Sequence, residues 1–265
     1  MSYYLYKLQF TSPLHIGESI LANGLKSAQP NICADTFFSA LCHTIIQLDG
    51  ESALDSFVQR VRSDQILFSD TFPYQQEKLY IPKPYITSKS DRVVDLSKRK
   101  LMKKLSYIPL ERIAQFMNSI AGRDNFNPES VSNDFCINTV DTKVNLLEGP
   151  YSVGGVSFYD GCGLYGIVKA DQPDMEYLIK LLKMLGLSGV GGKTSSGYGK
   201  FQLLDVIRLE DNGDDQYRLL YSLLENNHAD YYITLTTALP SDSELDRAVE
   251  GATYQLVRRG GFIFS

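Results

Sequence analysis

The sequence is poor in the residues that usually bind metals or form disulfides. Its 265 residues include three histidines and four cysteines, and the cysteines form neither a Cys-x-x-Cys pair nor zinc-ligand spacing. Ligands scattered in this way are not brought around one ion by any local motif. We therefore predict no metal site, and we expect reduced thiols in a cytoplasmic protein.

Long apolar runs are also missing. No apolar stretch approaches the roughly 18 residues that a membrane-spanning helix needs. The chain enters a strand pattern at residues 3–11 without the charged and apolar regions of a signal peptide. We therefore expect a cytoplasmic protein that has no membrane partner.

The net charge of −5 hides an uneven distribution. Residues 83–104 contain eight basic side chains, among them Lys83 and Lys89, and only two acidic ones. A basic patch on an acidic body can follow a phosphate backbone. A solvated charged loop is the alternative interpretation of this stretch.

Residues 186–199 hold six of the 20 glycines, with serine, threonine and lysine among them. Glycine is needed where φ is positive or where something approaches the backbone closely, and free N–H groups beside hydroxyls and lysines suit phosphate. A nucleotide P-loop is excluded, because its spacing requires glycine where the chain has Leu187. A flexible connection between a helix and a strand is the alternative.

Hydrophobic periodicity predicts an α+β fold. The main predicted strands cover residues 3–11, 151–159, 164–169 and 200–208, and the main helices, the first capped by Asp35, cover residues 35–48 and 174–185. Residues 160–163 have the composition of a hairpin turn between the two middle strands. If residues 50–150 are taken as a long insertion, the order is the β-α-β-β-α-β of a ferredoxin-like unit.

The remainder of the chain repeats part of this pattern. After a polar linker, strands are predicted at 231–238, 253–257 and 261–264, with a helix at 242–250. We therefore expect tandem ferredoxin-like, RRM-like domains at residues 1–208 and 209–265, the second incomplete at its C-terminus.

A glycine-rich loop between the second helix and fourth strand of a ferredoxin-like domain resembles the signature of RAMP proteins in CRISPR effectors. Four segments resemble more specifically the fourth-subunit family of the type III-A (Csm) complex. They are SPLHIG at 12–17, ADTFFSALC at 34–42, the glycine loop at 189–199 and YQLVRRGGF at 254–262.

This resemblance implies a non-catalytic subunit of an antiviral ribonucleoprotein, without a cofactor. Such a subunit caps the crRNA 5′ end, grips the repeat-derived handle, and joins the large polymerase-like or cyclase-like subunit to the first backbone RAMP subunit. A thumb-like hairpin is expected at about residues 135–152, because the segment from Thr142 to Asn145 resembles the family's sequence there.

We accordingly expect RNA along the glycine loop, the thumb and the basic run. Loop N–H groups and the side chains of Lys193, Ser195 and Ser196 would meet phosphates, and Tyr198 could stack a base. The predicted RNA-binding residues are His15, Lys26, Lys83, Lys89, Lys143, Asn145, Ser152, Gly189, Val190, Gly191, Gly192, Lys193, Thr194, Ser195, Ser196, Gly197 and Tyr198.

Two other functions fit the same residues. A RAMP endoribonuclease that processes precursor crRNA would use His15 as its general acid or base, with Lys193 or Tyr198 assisting. A purely structural adaptor between protein subunits would need neither chemistry nor RNA contacts.

Overall fold

The computed structural model describes residues 1–17, 28–86, 96–145 and 149–257. The strands are β1 (Ser2–Phe10), β2 (Leu67–Phe68), β3 (Phe72–Gln75), β4 (Lys78–Pro82), β5 (Tyr107–Pro109), β6 (Cys136–Asn145), β7 (Gly149–Phe158), β8 (Cys162–Ala170) and β9 (Phe201–Arg208). The helices are α1 (Ala34–Leu48), α2 (Glu51–Arg62), α3 (Leu96–Lys104), α4 (Ile113–Ile120), α5 (Gln172–Ser188), α6 (Asp215–Glu225) and α7 (Leu245–Val249). Short 3₁₀ turns cover Leu110–Arg112, Pro128–Ser130 and Thr194–Ser196.

Strand β1 lies between β8 and the edge strand β9 of a seven-stranded sheet. The sheet runs in the order β5-β4-β3-β8-β1-β9, β2 also pairs with β8, and neighbouring strands are antiparallel. Alternation places Tyr6 and Leu8 of β1 on one face and Leu5 on the other, and all three are fully buried. A strand with apolar residues on both faces is covered by a layer on each side.

Helices form those two layers. On the Tyr6 face the core includes Phe37 of α1, Phe57 of α2 and Leu178 of α5. On the Leu5 face it includes residues of α4 and α6, such as Tyr217. Helix α6 lies after position 208, so the segment beyond the predicted domain boundary shares a core with the main sheet.

The predicted β-α-β-β-α-β order is present, but its second strand was misplaced. Strands β2 and β3 together occupy the position beside β8, so residues 67–75 belong to the sheet and not to an insertion. The predicted strand at 151–159 is β7, which pairs with β6 in a separate two-stranded sheet. Residues 160–163 therefore connect two sheets and do not close a hairpin.

The N-terminus of α1 also differs from its prediction. Cys33 occupies the N-cap position without a side-chain cap, and Asp35 lies inside the first turn. The Asp70 carboxylate instead accepts a hydrogen bond from the Ala34 N–H at 2.7 Å. A donor of the first turn is thus satisfied from a distant part of the chain, which no local motif reveals.

Residues 226–257 contain little regular structure. The predicted strands at 231–238 and 253–257 do not form among the described residues, and the predicted helix shortens to α7. A strand persists only where another backbone pairs with it, and here the Leu235 carbonyl accepts one bond, from the Asp70 N–H at 2.9 Å. The strand predicted at 261–264 lies outside the described residues.

Candidate RNA-binding site

The glycine loop, residues 189–199, is closed at its base by backbone bonds. The Gly189 N–H ends α5 by donating to the Leu185 carbonyl at 2.7 Å, and the Val190 N–H donates to the Gly199 carbonyl at 3.0 Å. Gly199 has φ +72°, and a Cβ there would overlap the Val190 carbonyl oxygen. Glycine at position 199 is thus required both by its conformation and by the close approach of another strand of the loop.

The tip of the loop is a 3₁₀ turn at Thr194–Ser196. Lys193 precedes it with φ +61°, and its carbonyl accepts a bond from the Ser196 N–H at 2.9 Å. The N–H groups of Thr194 and Ser195 have no partner within such a turn. Ser195 and Ser196 are exposed, so hydroxyls and N–H donors are presented together, as a phosphate requires.

His15 lies beneath this loop and is 5% exposed. Its carbonyl accepts a bond from the Gly192 N–H at 2.8 Å, and its ring Nδ1 lies 2.6 Å from the Gly154 carbonyl of β7. Because a carbonyl only accepts, Nδ1 carries the proton in this contact. His15 therefore joins the glycine loop to the hairpin formed by β6 and β7, and it does not lie on the surface.

The neighbouring residue extends this connection. Leu14 and Val156 exchange two backbone hydrogen bonds of 2.8 Å, and His15 forms a parallel bridge to Gly191. The segment after β1 thus pairs with β7 on one side and with the glycine loop on the other. The hairpin and the loop, both predicted to contact RNA, are therefore adjacent.

Side chains cross between the hairpin and the loop. The Tyr198 hydroxyl of the loop donates to the Asp141 carboxylate of β6, and the Lys143 ammonium lies 5.5 Å from the centre of the Tyr198 ring. In the opposite direction, the Lys193 ammonium lies 5.0 Å from the ring centre of Tyr151 in β7. Cation–π contacts of this kind contribute about 0.5–2 kcal/mol, depending on their exposure.

The Tyr198 hydroxyl is a hydrogen-bond donor at neutral pH. Burial first, and then the hydrogen bond and charge of Asp141, raise the pKa of Tyr198 to about 12. The prediction that Tyr198 stacks an RNA base is wrong for this structure, because the ring is 3% exposed. Lys143 of the hairpin and the ring of His15 lie against Tyr198, which the sequence of the loop alone did not indicate.

Asp141 and Tyr151 are site residues that were not predicted from the sequence. They lie on β6 and β7, and the register pairs Lys143 directly with Tyr151. Reading the hairpin with a two-residue period would have placed Asp141, Lys143 and Tyr151 on one face. Ser152, a predicted RNA ligand, lies on the opposite face and pairs with Thr142.

Lys83 does not join the site. It follows β4, and β3 and β8 separate that strand from β1. The Lys83 ammonium donates to the Met102 carbonyl of α3 at 2.6 Å, and burial lowers its pKa. Lys26 and Lys89 lie outside the described residues, and of Asn145 only the backbone position at the end of β6 is described.

The remaining predicted loop residues divide between buried and exposed. Gly189 and Val190 are buried at the base of the loop, whereas Gly191 and Gly192 are exposed. Gly197 has φ +88° and open space around it. Within the described parts of the chain, no cluster of three His, Cys, Asp or Glu could hold a metal ion, and no helix is long and apolar enough to cross a bilayer.

Family models match two parts of the chain. The model of the RAMP superfamily matches residues 7–202, and the model of the CRISPR Csm4 C-terminal domain matches residues 227–265. The first match contains the glycine loop and the hairpin, and the second covers most of the irregular C-terminal segment.

Individual relatives agree with these matches. The chain is 33% identical to the "CRISPR system Cms protein Csm4" of Streptococcus thermophilus, over all of this chain and 82% of the relative. It is 29% identical to the Csm4 protein of Mycobacterium tuberculosis H37Rv, over 95% of this chain and 77% of the relative.

Solved structures show the same fold. A crystal structure of the Csm3-Csm4 subcomplex of the type III-A interference complex matches with a TM-score of 0.65 and 15% identity, over 99% of this chain and 85% of that one. A Csm1-Csm4 cassette in complex with cA4 matches with a TM-score of 0.54 and 18% identity, over 78% and 71% of the two chains.

Proposed function

The chain belongs to the Csm4 family of the RAMP superfamily, and we propose that it caps the crRNA 5′ handle in a cytoplasmic type III-A CRISPR ribonucleoprotein. The related crystal structures contain Csm4 together with Csm1 or with Csm3. We infer that this chain likewise bridges the large polymerase-like subunit and a backbone RAMP subunit in antiviral defence.

The observation that carries the RNA-binding proposal is the joint presentation of the loop tip and the hairpin. Ser195 and Ser196 are exposed in the 3₁₀ turn that Lys193 precedes, and Lys143 of the hairpin lies over Tyr198, which follows the turn. Neutral donors and cations in one surface suit a chain of phosphates. Lysine adds a point charge that strengthens binding at low salt.

The surroundings of His15 support a subunit without catalytic activity. A general acid or base must reach the proton that it transfers, whereas His15 is 5% exposed and its Nδ1 is held by the Gly154 carbonyl. The proposed role of His15 is to connect the loop and the hairpin. The endoribonuclease alternative would require His15 to become accessible.

The proposal is tested by replacing Lys193, Ser195 and Ser196 together with alanine in the assembled complex. Three phosphate-facing groups are removed, so we expect crRNA retention at physiological salt to weaken by about tenfold to hundredfold. The measurement is the amount of crRNA that remains bound after washing, relative to the protein subunits.

A matched control replaces one exposed lysine and two exposed serines away from the site: Lys183, Ser52 and Ser56. If the site variant and this control retained equal amounts of crRNA, the loop would not be an RNA-binding element. That result would favour a purely structural adaptor. Cleavage of repeat RNA by the wild type that is abolished by His15→Ala would favour the endoribonuclease.

A further inference from the structure

The lysines of the loop and the hairpin are held in a reciprocal arrangement. Lys143 of the hairpin lies over Tyr198 of the loop, while Lys193 of the loop lies over Tyr151 of the hairpin. The residues come from segments about 50 residues apart in the sequence, and the Asp141 carboxylate adds a hydrogen bond between the same two elements. Each of the two predicted phosphate ligands, Lys143 and Lys193, thus lies over an aromatic ring of the other element.

The hairpin needs such contacts because it is a two-stranded sheet. An isolated pair of strands is only marginally stable in water. Near its base, Leu14 bonds to Val156 and Phe10 stacks on Phe158 with ring centres 5.1 Å apart. Farther along, Val140 and Val144 on the outer face are 61% and 72% exposed. The contacts made by the inner face therefore orient the distal part of the hairpin.

We propose that Asp141, Tyr151 and Tyr198 are positioning residues that fix Lys143 and Lys193 as a pair with a set spacing toward the RNA backbone. This inference rests on the proposed function, since it assigns those two lysines to phosphates. An ammonium group has three N–H donors, so a lysine that rests on a ring keeps donors for a phosphate oxygen.

The positioning role is separable from direct RNA contact. The Tyr198 hydroxyl is engaged by Asp141, and its ring is 3% exposed. Replacing Tyr198 with phenylalanine removes that hydrogen bond and leaves the ring under Lys143. The overall charge is unchanged, because the hydroxyl is protonated at neutral pH.

The first test is amide hydrogen exchange of the purified full chain without RNA. In Tyr198→Phe and in Asp141→Ala, we expect the β6 and β7 amides near the Asp141–Val153 pair to exchange about tenfold faster or more. Asp141→Asn retains a carbonyl that accepts from the Tyr198 hydroxyl, so its exchange should stay close to that of the wild type. Tyr159→Leu, at an exposed position directly after β7, is the control.

The second test is the affinity of Tyr198→Phe, Tyr151→Leu and Lys193→Ala for a handle RNA as a function of salt. Tyr198→Phe and Tyr151→Leu should raise Kd by about threefold to tenfold with the salt slope unchanged, because no cation is lost. Lys193→Ala should instead lower the slope by about one unit.

Unchanged exchange in Tyr198→Phe would overturn the positioning role, whether or not the chain binds RNA. Unchanged affinity in Tyr198→Phe, with wild-type binding intact, would also overturn it while leaving the proposed function in place. If the wild type bound no handle RNA, the proposed function would be wrong. The proposed positioning of Lys143 and Lys193 toward RNA would then be wrong as well.

Discussion

Two basic regions of the molecule can be compared, the loop–hairpin site and helix α3. The site has two lysines, Lys143 and Lys193, each resting on a tyrosine ring of a neighbouring element. Helix α3 is richer in charge, with the sequence LSKRKLMKK and no acidic residue. Its described lysines, Lys100, Lys103 and Lys104, are exposed and form no ion pair with any described residue.

The difference shows that the number of charges and their placement are separate properties. Exposed cations attract a polyanion from a distance, but salt screens that attraction and their side chains remain free. A lysine held on a ring loses less side-chain entropy when it binds, because that freedom is already restricted. The site should therefore contribute more affinity per lysine than α3.

The largest effect is expected from changing the loop's geometry without changing its charge. In Gly199→Ala, the positive φ and the overlap of the new Cβ with the Val190 carbonyl oxygen would both destabilise the loop. We expect the free energy of unfolding to fall by about 2–4 kcal/mol, with loss of RNA binding. Urea unfolding and RNA titration of the purified chain measure the two effects.

The matched control is Gly197→Ala. Gly197 also has a positive φ, of +88°, but nothing lies within 4 Å of its added Cβ. Only the conformational cost remains, so a loss of about 1 kcal/mol is expected. Equal losses in the two variants would show that the close approach at Gly199 is unimportant.

The second prediction compares equal numbers of charges in the two regions. Lys143→Gln with Lys193→Gln should raise the Kd for handle RNA by about tenfold, and Lys100→Gln with Lys103→Gln by less than about threefold. The measurement is RNA binding at physiological salt. A larger effect from the α3 pair would reverse the comparison and make the basic helix the main RNA contact.

The sequence predicted the elements whose patterns are long and regular. The alternation of Tyr4, Tyr6 and Leu8 places them together in one core, and the apolar spacing in α5 places Met175, Leu178 and Leu182 there as well. The glycine density also located the loop correctly between α5 and β9. Each of these patterns is repeated over several residues, so that local chemistry alone determines the structure.

Features that depend on distant partners were not predictable in this way. Strands β2 and β3 are short and β3 contains Pro73, so their alternation is weak, and pairing with the neighbouring strands β4 and β8 defines them. The bond between Tyr198 and Asp141 joins positions 57 residues apart. Tyr198 is buried where this bond forms, and no motif in the glycine loop reveals it.

The smallest effect is expected at Lys83. This residue was predicted to bind RNA from its charge, but its ammonium donates to the Met102 carbonyl near the C-terminal end of α3. Lys83→Met keeps the aliphatic stem and removes this hydrogen bond, while it also removes a cation whose pKa burial lowers. Because the two changes oppose each other, the free energy of unfolding should fall by only about 0.5–1 kcal/mol.

RNA affinity of Lys83→Met should equal that of the wild type, because the ammonium faces the protein and lies far from the glycine loop in the strand order. Thermal unfolding and RNA titration of the same preparation measure both quantities. A drop in affinity without a loss of stability would place Lys83 on the RNA after all. It would also extend the binding surface from the loop–hairpin site to the edge of the sheet where α3 lies.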